Sequence, residues 1–163
     1  MKRLLIVWHS RTGAARAMAE AAARGAGQET GVAVVRQTAE AAGPDDLLAA
    51  DGYLFAAPEN LASLSGEMKA FFDRSYYPAL DRLNGRPYAA MIAAGSDGQG
   101  AARQLARIAM GWRLKPVAEP LIVCTHAQTP EAILAPKVLS AVDLRRCEEM
   151  GQVLAAGLAM GLF

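Results

Sequence analysis

Five short apolar runs, each separated from the next by a stretch with helical spacing, leave this chain few folds to choose from. The runs cover residues 4–8, 32–35, 52–57, 88–93 and 116–124. They are continuous rather than alternating, as expected of strands buried on both faces by helices. The first intervening helix is predicted from Ala14 to about Arg24, with Gly25 and Gly27 as stop signals. A brief one follows at 44–48, with Pro44 in its first turn and Asp45 and Asp46 at its positive end. Ser65 caps the next, whose Met68, Phe71 and Phe72 share a face, and Leu105, Ile108, Ala109 and Trp112 mark another. Ser140 and Asp143 form a capping box before a final stripe of Cys147, Met150, Gly151, Leu154 and Leu158. Right-handed crossovers between such units lead to an α/β fold: an open, doubly wound, five-stranded parallel sheet with helices on both faces.

A chain of 163 residues, 53% hydrophobic and 20% charged, buries enough surface to fold as a single domain, expected to span 1–163. Its net charge of +1 supplies no field that would gather nucleic acid or an acidic membrane. The apolar run at 4–8 is too short for a secretory signal, and the one at 153–163 is shorter than the roughly 18 to 20 residues a spanning helix needs. Cys124 and Cys147 lie outside any C-x-x-C spacing, so no metal site or disulfide framework is expected and a reducing, cytoplasmic setting fits.

In such sheets ligands bind beyond the carboxyl ends of the strands. The loop after the first strand combines Ser10, Arg11, Thr12, Gly13, Ala14 and Ala15 at a helix N-terminus. Exposed main-chain N–H groups, the positive end of the helix dipole and two hydroxyls together suit a phosphate. No G-K-[ST] follows and G-x-G-x-x-G is absent, so this is neither a Walker loop nor a dinucleotide fingerprint. An ordinary capped helix is the plain alternative.

Two segments resemble the flavodoxin-like family, and within it the small NAD(P)H-dependent FMN reductases and quinone reductases. Residues 10–15 look like that family's S-x-T-G-x-T phosphate loop, and Ala57-Pro58 through Leu64-Ser65-Gly66-Glu67-Met68-Lys69-Ala70-Phe71-Phe72-Asp73-Arg74 look like its ring-wrapping segment. The resemblance covers nearly the whole chain. It implies strand order 2-1-3-4-5 and bound FMN, with NAD(P)H as co-substrate and a quinone-like acceptor. By the same resemblance Pro58, Glu59, Asn60, Leu61, Ala62 and Ser63 hold the ring from one side. Gly95, Ser96, Asp97, Gly98 and Gly100 hold it from the other, and a homodimer or homotetramer is expected.

Ala15 stands where the family usually has a phosphate-binding threonine, and neither the aromatic expected near Asn60 nor the glycine expected at Ala62 is present. The same scaffold also serves electron-carrying flavodoxins, or binding modules that have lost flavin, and both remain open as alternatives. No side chain is singled out as catalytic. His9 and His126 are lone histidines near strand ends, best read as satisfied locally, and Ser96 lacks the G-x-S-x-G elbow of a hydrolase. Tyr76, Tyr77 and Pro78 are expected just after the third helix, as an interface or a helix-ending turn.

Overall fold

The computed structural model describes residues 1–163. Strand β1 (Lys2–Trp8) leads into α1 (Ala14–Ala26), then β2 (Val32–Thr38), α2 (Pro44–Ala49) and β3 (Gly52–Asn60). A two-residue strand β4 (Ser63–Leu64), α3 (Gly66–Ala79), β5 (Pro87–Ala94) and α4 (Gln99–Gly111) follow. The chain ends with β6 (Lys115–Pro116), β7 (Leu121–Cys124), α5 (Pro130–Leu134) and α6 (Ala141–Met160). The parallel sheet runs β2-β1-β3-β5, and the fifth position is shared by β6 and β7, which both pair with β5. This is the order 2-1-3-4-5 with its last strand broken, because Pro116 and Pro120 remove ladder donors from a run read as continuous.

The continuous apolar runs are two-faced, as a doubly covered sheet requires. Leu5, Val7, Phe55 and Ile92 point to one face, where Met68, Phe71, Phe72 and Trp112 from α3 and the end of α4 meet them in one fully buried cluster. Leu4, Ile6, Leu54 and Met91 point to the other, against Met18 of α1 and Leu154 and Leu158 of α6. Each such side chain contributes about 1.5–3 kcal/mol by leaving water.

Three departures from the expected elements have local causes. Gly25 does not stop α1, which runs on to Ala26. A Cβ there would collide with the Glu148 carbonyl of α6, and one at Gly151 with the Ala22 carbonyl of α1, so these glycines let the two helices touch backbone to backbone. Tyr76, Tyr77 and Pro78 belong to the last turn of α3 rather than to a turn after it. Tyr76 stacks on Trp112 with ring centroids 5.8 Å apart, and the Trp112 indole N–H donates to the Tyr76 carbonyl at 2.9 Å, which fixes that turn. Finally, the short helix α5 follows β7 in a stretch without a helical stripe; Thr129 caps it, its hydroxyl accepting from the Ala132 amide at 3.2 Å, with Pro130 at its first position. No helix is long and apolar enough to cross a membrane.

Candidate functional site

At the carboxyl end of the sheet the first loop, the end of β3, the end of β5 and the segment after β7 enclose a cleft of about 600 Å³, its open mouth included. Its walls are Ser10, Arg11, Thr12, Ala14 and Ala15; Pro58, Glu59 and Asn60; Ala93, Ala94 and Gly95; and Thr125, Ala127, Ile133, Leu134 and Lys137.

Gly13 adopts φ 104°, a left-handed conformation that suits glycine, and starts α1 as its N-cap. The Ser10 hydroxyl accepts from the Gly13 amide at 3.0 Å and closes the loop. The main-chain N–H groups of Ser10, Arg11, Thr12, Ala14, Ala15 and Arg16 donate to no main-chain carbonyl, so an anion at this helix start meets a set of open donors. Ala15 is buried and adds no hydroxyl.

Strand β3 does not end in an open loop. It turns through Leu61 and Ala62 into β4, Asn60 opposing Ser63, and both turn residues have positive φ, 51° and 63°. This is a two-residue hairpin of the I′ kind built without its usual Asn-Gly. Its neighbour is the first turn of α4: a Cβ on Gly100 would strike the Ala62 carbonyl. The Glu59 carboxylate accepts from the amides of Gly98 and Ala101, both at 2.9 Å, and thereby caps the N-terminus of α4. Gln104 then receives the Ser63 hydroxyl at 3.0 Å and the Leu64 amide at 2.7 Å.

The expected ring-holding residues therefore divide. Pro58, Glu59, Asn60 and Gly95 face the cleft, whereas Leu61, Ala62, Ser63, Ser96, Asp97, Gly98 and Gly100 lie outside its wall. Gly98 (φ 83°) sits against Ile122 and serves the α4 start, and Leu61 is fully exposed at the hairpin tip. Gly13 shapes the first loop from behind the cleft wall.

Ser65 occupies the expected N-cap position of α3, yet its hydroxyl bonds the His9 ring Nδ1 at 2.8 Å instead of the helix. His9 is buried, and its Nε2 lies 3.5 Å from Glu67 and 3.7 Å from Glu40. Glu67 in turn pairs with Arg11 at 3.1 Å, and the Asn60 amide oxygen, assigned to suit its neighbours, accepts from Arg11 Nε at 3.0 Å. His9 thus ties the phosphate-type loop to α3 through side chains rather than backbone. His126 is exposed with φ 59°, its amide donating to the Gly95 carbonyl at 2.8 Å. No cluster of His, Cys, Asp and Glu could hold a metal ion.

Sequence reasoning missed the fourth wall. Lys137 reaches back to the first loop: its amide donates to the Thr12 carbonyl at 2.8 Å and its Nζ lies 3.4 Å from the Thr12 hydroxyl. The only trace of this in sequence is a lysine after an apolar Ile133-Leu134-Ala135-Pro136 stretch, which reads equally well as a surface turn.

Sheet order, crossovers and a cleft at the helix α1 start define a flavodoxin-like α/β protein. The fold superposes on an archaeal flavodoxin with a TM-score of 0.77, at 18% identity over 96% of this chain and 98% of that one. It superposes on a WrbA-like flavodoxin from Agrobacterium tumefaciens with a TM-score of 0.70, at 21% identity over 99% of both. The chain belongs to the NADPH-dependent FMN reductase family, whose sequence profile matches residues 37–129. It is also 32% identical over 100 residues to a flavodoxin of Aquifex aeolicus, covering 61% of this chain and 54% of that protein. A further match, 33% identical over 95 residues, is to an NAD(P)H dehydrogenase (quinone) of Acidithiobacillus ferrooxidans, covering 46% of this chain and 48% of that one. The chain thus spans about half the length of these curated relatives. The family match begins after the first loop and stops before α5, so it includes neither that loop nor the Ile133, Leu134 and Lys137 part of the fourth wall.

Proposed function

We propose that this chain is an FMN-dependent oxidoreductase that uses NAD(P)H and passes its reducing equivalents to a quinone or similar small acceptor. Bound FMN would supply the hydride-accepting and hydride-donating chemistry. The observation that carries this reading is one cleft in which open amides at a helix start lie at one end and small, close-packed backbone lies along the side. The donor set fits a phosphate ester: the amides of the first loop, with the hydroxyls of Ser10 and Thr12 beside them. Ala93, Ala94 and Gly95 on one wall and Pro58 on another leave flat, low surfaces against which a planar ring can lie. The amides of Gly95, Ser96 and Asp97 donate to no main-chain carbonyl and are candidate donors to negative charge on such a ring, whereas that of Gly98 is committed to Glu59. Family membership and the match to a quinone-reducing relative support the same reading.

The visible spectrum of the purified protein, followed by titration with FMN, tests the binding step. Flavin absorbance that NADPH bleaches anaerobically, and that a quinone restores, is the expected result. No flavin and no binding would end this reading. The matches to flavodoxins favour one alternative, an electron carrier. A carrier docks through a strongly acidic face, against which the net charge of +1 argues, and its flavin would stay inert to NADPH. The proposed assembly is a homodimer or homotetramer, which its mass in solution checks.

A further inference from the structure

We propose that Lys137 is the residue that selects a phosphorylated ligand in this cleft, by neutralising the ester dianion beside the start of helix α1. The inference rests on the flavin reading and names a residue outside both the first loop and the family-matched stretch. Two cations line the cleft, Arg11 and Lys137. Arg11 is already neutralised by Glu67 at 3.1 Å. Lys137 is half-buried and forms no ion pair; its ammonium is held by three neutral oxygens, those of Ile133 (2.8 Å), Ala135 (2.6 Å) and the Thr12 hydroxyl (3.4 Å). Glu59, the acid on the cleft wall, is turned away to the α4 amides. Lys137 is therefore the cation of the cleft that has no ion-pair partner, and it sits beside the hydroxyl that the phosphate loop offers.

An ammonium has three donors, and here all three are aimed at neutral acceptors. The two short bonds to the end of α5 fix where the nitrogen sits, while the longest, to Thr12, is the one a phosphate oxygen displaces. An anionic phosphate oxygen in its place adds the attraction of opposite charges to a bond that Thr12 offers only as a long contact to a neutral hydroxyl. The Lys137 amide bond to the Thr12 carbonyl holds this geometry independently of the side chain, so removal of the charge leaves the strap docked.

The test uses the purified protein stripped of any co-purified flavin, titrated with FMN and with riboflavin, which shares the ring and lacks the phosphate. Lys137→Met is expected to weaken FMN binding about 10- to 100-fold while riboflavin affinity changes by less than about twofold. Lys137→Arg should retain most of the FMN affinity, and the salt dependence of FMN binding should flatten in Lys137→Met alone. Equal losses for both flavins would mean that the lysine merely holds α5 in place, and an unchanged FMN affinity would mean that it does nothing; either overturns the inference while the functional reading stands. Failure of the unsubstituted protein to bind either flavin overturns both.

Discussion

Glu59 and Gly98 are joined by a 2.9 Å bond from amide to carboxylate that links the end of the third strand to the start of the fourth helix. With the second bond, from Ala101, a single side chain on the cleft wall anchors the start of α4, which lies outside that wall. Its energetics are those of an acid at a helix N-terminus, charge-assisted and aligned with the dipole. Glu59→Gln keeps one acceptor but turns an NH₂ toward the second amide. It should cost about 1–3 kcal/mol in urea unfolding and loosen flavin binding with it. Unchanged stability together with unchanged flavin affinity would show that the end of β3 and the start of α4 are held together by something else.

The hairpin tip offers an opposite sign. Leu61 and Ala62 sit at φ 51° and 63°, where a side chain costs about 1–2 kcal/mol relative to glycine. Ala62→Gly should therefore raise the unfolding free energy by about 0.5–1 kcal/mol, after the added entropy of the unfolded chain is subtracted. Gly100→Ala should do the reverse, because its new methyl would meet the Ala62 carbonyl and push the hairpin off α4. Parallel melts of the two variants check the pair, and a destabilised Ala62→Gly would show that the turn is not strained.

The contact between α1 and α6 depends on Gly25 and Gly151, each facing a carbonyl of the other helix. Gly151→Ala cannot be absorbed by a side-chain rotation, since the obstacle is the Ala22 backbone. About 2–3 kcal/mol of stability should be lost, a scale typical of overpacking. Because the phosphate-type loop runs into the start of α1, the FMN affinity of the folded variant should fall as well. Denaturant melts and flavin titration on the same sample separate the two effects.

The sheet and its order were legible in sequence because burial on both faces leaves continuous apolar runs, of which Leu4 to Trp8 is the clearest. The first loop was legible because hydroxyls and a glycine before a helix have a local meaning. What could not be read is held by partners distant in sequence. Glu59 looks like any exposed acid until Gly98 and Ala101 are brought to it, and the Ser65 hydroxyl looks like a cap until His9 claims it. Gly25 carries the signature of a helix stop and is instead a contact point, since only packing against Glu148 distinguishes the two. The Leu61-Ala62 turn lacks turn-forming residues, so nothing local marks it as a hairpin. Lys137 reaches the first loop from the far end of the chain, a separation no local pattern reports.

Alkaline pH should weaken the fold through Cys147. Burial, reinforced by the nearby Asp143 charge, pushes its thiol up from 9.0 to about 11. Between those values the unfolded chain releases a proton that the folded chain keeps, so stability is fully present below about pH 9 and declines as pH rises toward about 11. Burial raises Tyr53 and Tyr88 in the same sense, the Arg86 bond partly opposing it at Tyr53, and both add to the decline at the upper end. Thermal melts from neutral to strongly alkaline pH should show this fall, and Cys147→Ala should make it shallower while leaving the tyrosine part. In the folded protein iodoacetamide should label half-buried Cys124 well before buried Cys147, and unfolding should equalise the two. A Cys147→Ala variant with the same alkaline slope as the parent would remove the thiol from this account and leave the tyrosines as the cause.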